Sequence, residues 1–175
     1  MIKVIYIEKS EMMDLRQLFE MQKGLDKHIA EKHQLQTDSL ISRKVLALLV
    51  ELGELANETR CFKFWSVKGA SPKEVILEEF VDGVHFILSL GLDCGFERDV
   101  QVEELALVDE NVTHQFLSMY ETVHRFSAER SMDAYRSMLN SYFVLGQMLG
   151  FSSEEIKEAY ISKNEVNYKR QKEGY

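Results

Sequence analysis

The sequence predicts an all-α protein, a helical bundle of about six or more helices. One proline and nine glycines among 175 residues leave long stretches free of helix breakers. Within those stretches apolar residues recur one helical turn apart, and helix-start signals of the capping-box type separate them. The apolar share of 45% and the charged share of 29% are those of a globular chain rather than a disordered one. With no internal repeat, low-complexity tract or linker, residues 1–175 read as a single domain, long enough to bury a core without staples.

Residues 11–33 read as a first helix, with Met12, Leu15, Leu18, Phe19, Gln22, Leu25 and Ile29 roughly one turn apart. The polar stretch from Gln34 to Ser39 offers N-caps for a second helix over 39–60. On a wheel with Leu48 at zero, Ile41, Val45, Leu49, Leu52, Leu55 and Ala56 fall between about −20° and about 100°. Glu51, Glu54 and Glu58 fall at about 300°, about 240° and about 280°, so these acids border the apolar stripe instead of opposing it. Unpaired carboxylates in such a border position are costly without a cation.

Ser71-Pro72-Lys73-Glu74 reads as a capping box opening the third helix, with serine at the N-cap and proline in the first position. Ile76, Leu77, Phe80, Val81, Val84, Ile87 and Leu88 form its buried stripe; Glu78, Glu79 and Asp82 lie in a band beside it, with His85 at the edge. Helices over 100–127 and 131–149 follow, the latter ending at Gly150. Ser152-x-x-Glu155 is a second capping box and opens a last helix to about residue 168, from which NYKRQKEGY departs as an arm.

The formal charge of −8, with no basic run, disfavours a polymeric nucleic acid as partner. The acidity is uneven, however. Lys157, Lys163, Lys169, Arg170 and Lys172 outweigh Glu158, Glu165 and Glu173 at the carboxy-terminal end, which suits closure over an anion. Cys61 and Cys94 are too few and too isolated for a disulfide framework or a cysteine zinc site, and a cytoplasmic, reducing setting is the simplest expectation. The opening MIKVIYIEKS lacks the features of a secretory signal, and runs such as VLALLV (45–50) fall short of a membrane span.

Chemistry concentrates in two acid pairs, Glu51-x-x-Glu54 and Glu79-x-x-Asp82, with 24 residues between them. Three helical residues turn the chain through about 300°, so each pair projects from one face. Four carboxylates from two packed helices make an all-oxygen site suited to two or three Mg²⁺ ions, which would neutralise a polyphosphate and activate a water. Read blandly, the same acids are a salt-bridged helix surface. A di-iron bundle is a third reading, resting on Asp82-x-x-His85 and Glu121-x-x-His124. Between the pairs, Asn57 to Ser66 places Lys63 among Phe62, Phe64 and Trp65; taken singly, Phe64 and Trp65 read as core plugs and Lys63 as surface. In the tail, Lys163, Asn167 and Arg170 share one helical row whose donors suit phosphate oxygens, though a basic helix end also answers the helix dipole.

Four segments together resemble one family. They are LFEMQKGLDKHI (18–29), VELGELANETRCFKFWS (50–66), EEFVDGVHFILSLGL (78–92) and AYISKNEVNYKRQKEGY (159–175), and they are similar to motifs of the dimeric all-α dUTPases, within the MazG-like helical pyrophosphatases. The resemblance spans nearly the whole chain, while residues 95–150 match no motif. It implies a homodimer that hydrolyses dUTP, and also dUDP, to dUMP with Mg²⁺. By the same resemblance Glu51, Glu54, Glu79 and Asp82 correspond to the metal quartet, with Glu54 or Glu51 as the base for the attacking water. Gln22 corresponds to a base-pocket glutamine, and Lys63 and Trp65 to the site wall. His85 and Phe86 correspond to the deoxynucleoside pocket, and Lys163, Asn167, Arg170 and Tyr175 to a motif that closes over the nucleotide. The alternatives on the same fold are a pyrophosphatase for dCTP or a modified nucleotide, and outside enzymology a non-catalytic helical partner.

Overall fold

The computed structural model describes residues 14–35, 40–98, 100 and 111–174. Six helices form these residues: α1 (Leu15–His33), α2 (Leu40–Thr59), α3 (Lys73–Cys94), α4 (Val112–Glu129), α5 (Met132–Met148) and α6 (Ser153–Glu173). No strand occurs among the described residues, so the all-α expectation holds. Caps explain most of the starts. Asp14 accepts from the Arg16 backbone N–H at 3.0 Å, Asn111 from that of Thr113 at 2.9 Å and Ser131 from that of Ala134 at 3.2 Å. Ser152 and Glu155 form the reciprocal box read from the sequence, at 3.2 and 2.8 Å.

Four boundaries differ from the sequence reading, the first being α1, which starts at Leu15 after the Asp14 cap rather than at residue 11. Ser71 does not cap α3. Pro72 holds that position and its carbonyl accepts from Val75 and Ile76, while the Ser71 hydroxyl and backbone N–H both donate to Glu58 at the end of α2. The serine therefore ties two helices together instead of closing one. The fourth helix starts at Val112 rather than at residue 100, and the Gln34–Ser39 cap candidates at 36–39, like Met12, lie outside the described residues. The final helix does not release its tail at 168 but runs to Glu173. Tertiary contacts hold it there: Tyr168 packs on His28 with ring centroids 5.4 Å apart, and Gln171 Oε1 meets His33 Nε2 at 2.8 Å. Gly24 makes the approach of α6 to α1 feasible, because a Cβ there would stand 2.9 Å from the Tyr168 hydroxyl.

Helix α3 is the hub, touching α1, α2, α5 and α6, while α4 and α5 pair as a hairpin through Arg130 and Ser131. Its position makes it buried nearly all round from Phe80 to Gly91, well beyond the single stripe read from the sequence. Polar and small residues are buried with the apolar ones: Gly83, His85, Ser89 and Gly91. Two of these admit tyrosines. Tyr142 donates to the Phe80 carbonyl at 2.7 Å and Tyr135 to the Ile87 carbonyl at 3.0 Å. A Cβ on Gly83 would lie 2.0 Å from the Tyr142 oxygen, and one on Gly91 would lie 2.3 Å from that of Tyr135. The remaining core follows the predicted stripes, with Leu15, Leu18, Phe19 and Leu25 of α1 and Val45, Leu48, Leu52 and Leu55 of α2 all buried.

Candidate active site

Packing α2 against α3 brings the acids together. Glu51, Glu79 and Asp82 can each offer one oxygen within 4.8 Å of the others, all three half-buried. Glu54, one turn beyond Glu51, is exposed and stands outside that trio, though near enough for its charge to act on Glu51 and Glu79. Of the expected quartet, then, three carboxylates converge and the fourth stands beside them.

The electrostatics are those of carboxylates crowded together and partly buried. Burial, followed by the charges of Asp82, Glu54 and Glu79, raises the Glu51 pKa to about 7. Burial first and neighbouring acids next also raise Glu79, and burial raises Asp82 in spite of Lys163. Lys163 supplies the one ammonium bonded into the cluster among the described residues, 2.7 Å from Asp82 and 2.8 Å from Glu78, with its side chain 9% exposed. Burial pulls the Lys163 pKa down, but hydrogen bonds and charge from Asp82 and Glu78 outweigh it and the net shift is upward. A hard divalent cation fits this donor set: three half-buried carboxylate oxygens, mutually repelling and close enough to share one ion. No imidazole joins the trio among the described residues. His85 is engaged elsewhere, and Glu121 and His124 are exposed on α4, so the donor set does not fit the histidine-bearing di-iron reading.

Behind the acids lies a buried polar network that only the tertiary structure assembles. Gln22 of α1 donates from Nε2 to Asp26 at 2.7 Å, and its Oε1 meets His85 Nδ1 of α3 at 2.8 Å and accepts from the Tyr160 hydroxyl of α6 at 2.7 Å. The His85 ring stacks on Tyr160 with centroids 4.1 Å apart. Burial, with the charge of Lys163 added, lowers the His85 pKa to about 3, so the imidazole is neutral. Asp26 also accepts from Ser89 at 2.5 Å and lies 3.6 Å from Lys44, which pairs with Asp93 at 2.7 Å. Sequence reasoning singled out Gln22 and His85 but missed Asp26, Ser89, Tyr160 and Asn164. The one available signal was polar residues standing on otherwise apolar helix faces.

The α2–α3 connection is an aromatic loop. Its Phe64 is 93% exposed and Trp65 66% exposed, packed edge-on at 5.0 Å, so neither plugs the core. Arg60 braces the loop through the Lys68 carbonyl at 3.0 Å and Ser66 at 2.5 Å, and Lys63 donates to Asn57. Phe86 is half-buried against the core. On α6, Lys163 enters the acid cluster and Arg170, exposed, is near enough to lower the pKa of Glu78 and Asp82. Asn167 lies half-buried between them in sequence, and Tyr175 falls outside the described residues.

Among the described residues, a six-helix scaffold gathers carboxylates from two helices and bonds Lys163 of a third to one of them, an arrangement whose oxygen donors fit a divalent cation. A family model described as dUTPase matches residues 14–175, and the chain belongs to that family, the all-α dUTPases. Membership implies a hydrolase of nucleotide metabolism. No curated protein matches the chain.

Proposed function

We propose that the protein is a Mg²⁺-dependent dUTP diphosphatase, cleaving dUTP to dUMP and pyrophosphate and accepting dUDP as well. The observation that carries the reading is the convergence of Glu51, Glu79 and Asp82 within 4.8 Å, in a chain matched by the dUTPase family over residues 14–175. Glu51, Glu79 and Asp82 would hold the cation, which when bound supplies charge neutralisation of the polyphosphate and Lewis acidity. Glu54, exposed and outside the trio, keeps a free carboxylate to accept the proton of the attacking water. Arg170 and Lys163 of α6 offer donors to phosphate oxygens, so that positive charge faces the leaving pyrophosphate. For Lys163 this means exchanging its bonds to Asp82 and Glu78 for bonds to substrate.

Lys63 and Trp65 form the outer wall of this site, and Gln22, His85 and Phe86 its inner, nucleoside side. Asn167 and Tyr175 complete the closing segment. The working unit in this reading is a homodimer in the cytoplasm. The test is to incubate the purified protein with equal dUTP, dCTP, dTTP and UTP in Mg²⁺ and to separate the products by ion exchange. Selective formation of dUMP and pyrophosphate is the expected result. Preferred cleavage of dCTP would overturn the substrate, and no cleavage of any of the four would overturn the enzymatic reading.

A further inference from the structure

The network behind the acids has a polarity that phosphate chemistry does not require. Asp26 engages Gln22 Nε2 at 2.7 Å and is itself anchored by Ser89 and Lys44. With its nitrogen committed to a carboxylate, the Gln22 amide must present oxygen to His85 and Tyr160, at 2.8 and 2.7 Å. An amide oxygen can only accept, so the neutral His85 carries its proton on Nδ1 and Nε2 is left as a bare acceptor. That Nε2 is buried without a partner, in a residue 5% exposed.

A second orphan of opposite polarity accompanies it. Asn164, 4% exposed, has no acceptor for its buried Nδ2. One helical turn beyond Tyr160, it sits near enough to the Tyr160 hydroxyl to offset a little of the rise that burial and Asp26 impose on the phenol's pKa, yet its Nδ2 does not reach bonding geometry. His85 stacks on the ring of that same tyrosine. A bare acceptor and a bare donor thus flank one buried side chain, a few residues from Asp82 and next to Lys163 respectively. Buried polar groups without partners are rare in folded proteins, and two complementary ones together point to a ligand that satisfies both.

We propose that Asp26 is a positioning residue that sets the polarity of base recognition: through Gln22 it holds His85 as an acceptor beside the donor Asn164, a pair matched to a ring N–H next to a carbonyl. The uracil imide has that pattern. Cytosine presents a ring nitrogen acceptor and an exocyclic amine, leaving acceptor against acceptor and donor against donor. Were the Gln22 amide reversed, the proton of His85 would move to Nε2 and the match to the uracil N–H would be lost. Discrimination against cytosine then originates in a carboxylate on α1 that need not touch the base. The assignment of ligand rests on the dUTP reading of the site; the tautomer of His85 does not.

The experiment is nitrogen NMR of the histidine-labelled full chain, which reads the tautomer directly, combined with dUTP and dCTP kinetics. In the wild type Nδ1 is expected protonated and Nε2 bare. In Asp26→Asn, whose amide can face either way, the two tautomers are expected to mix. The preference for dUTP over dCTP in kcat/KM should then fall at least about tenfold, chiefly through the KM for dUTP, with Asp26→Glu recovering most of it. A proton on Nε2 of wild-type His85 overturns the proposal, and so does an Asp26→Asn protein that folds and keeps its selectivity. Should that variant not fold, Ser89→Ala loosens the same carboxylate; its selectivity is expected to drop, and an unchanged value overturns the proposal equally. If the wild type cleaves neither nucleotide, the activity reading falls by itself. Titration with dUMP and dCMP at the His85 resonances then decides the matter, preferential response to dUMP sustaining the polarity and equal or absent response refuting it.

Discussion

Replacing Glu51 by glutamine should move stability and activity in opposite directions. In the folded chain the Glu51 carboxyl titrates near 7, against 4.5 for a free glutamate. A folded-state pKa raised above its unfolded value means that the folded protein binds the proton more tightly, so stability is greatest at low pH and is lost as pH rises from 4.5 towards 7. Full linkage would cost about 3 kcal/mol at pH 8 and under about 1 kcal/mol at pH 5; because the carboxyl is half-buried and partly screened by water, a loss of about 1–2 kcal/mol across that window is expected. Glu79 and Asp82 are raised as well and add to the same slope. Glu51→Gln removes its part of that slope, and the metal-free variant should melt roughly 3–6 °C above wild type at pH 8 and close to it at pH 5. Mg²⁺ should raise the melting temperature of the wild type, by binding the folded state alone, and that of the variant far less. Turnover should collapse. Calorimetry in chelator and in Mg²⁺, at pH 5 and pH 8, measures each part. A variant with the wild-type pH slope would refute the view that the trio is held in mutual repulsion awaiting a cation.

Further outcomes follow from other sites. Glu54→Ala should abolish most turnover while keeping much of the Mg²⁺-dependent rise in melting temperature, because this carboxylate stands outside the trio; near-normal turnover would remove it as the proton acceptor. Gly83→Ala should destabilise by about 1–3 kcal/mol despite the better helix propensity of alanine, since its Cβ would lie 2.0 Å from a tyrosine oxygen held by a 2.7 Å hydrogen bond. Adding Tyr142→Phe should recover part of that loss in urea denaturation; strictly additive effects would contradict the clash. Ser152→Ala, which breaks the reciprocal cap of α6, should cost about 1 kcal/mol by the same measurement with kcat little changed.

The fold was legible because amphipathic helices are local: the period of apolar residues in α1 and α2 and the Ser152 cap need only neighbours along the chain. The acid pairs were legible for the same reason, since a spacing of three places both carboxylates on one helix face. Errors arose where a local signal had a distant competitor. Ser71 has the sequence of a cap, yet Glu58 on the preceding helix takes its hydroxyl. The tail has weak apolar patterning, yet Tyr168 and Gln171 dock it on α1. Phe64 and Trp65 have core-forming side chains, yet lie on a connection that turns them outward.

By itself the sequence determined the helices, their buried stripes and the chemical character of the site, because those properties depend on side-chain type and on spacing within one helix. Only the tertiary structure decided which acids share a centre, that Lys163 pairs internally with Asp82 and Glu78, and that Gln22 links Asp26, His85 and Tyr160. Apart from Gln22–Asp26 and Glu79–Asp82, which each lie within one helix, those relations join residues 28 to 138 positions apart in the chain. They exist because four helices pack around α3, and the angles and offsets of that packing are written in no single segment.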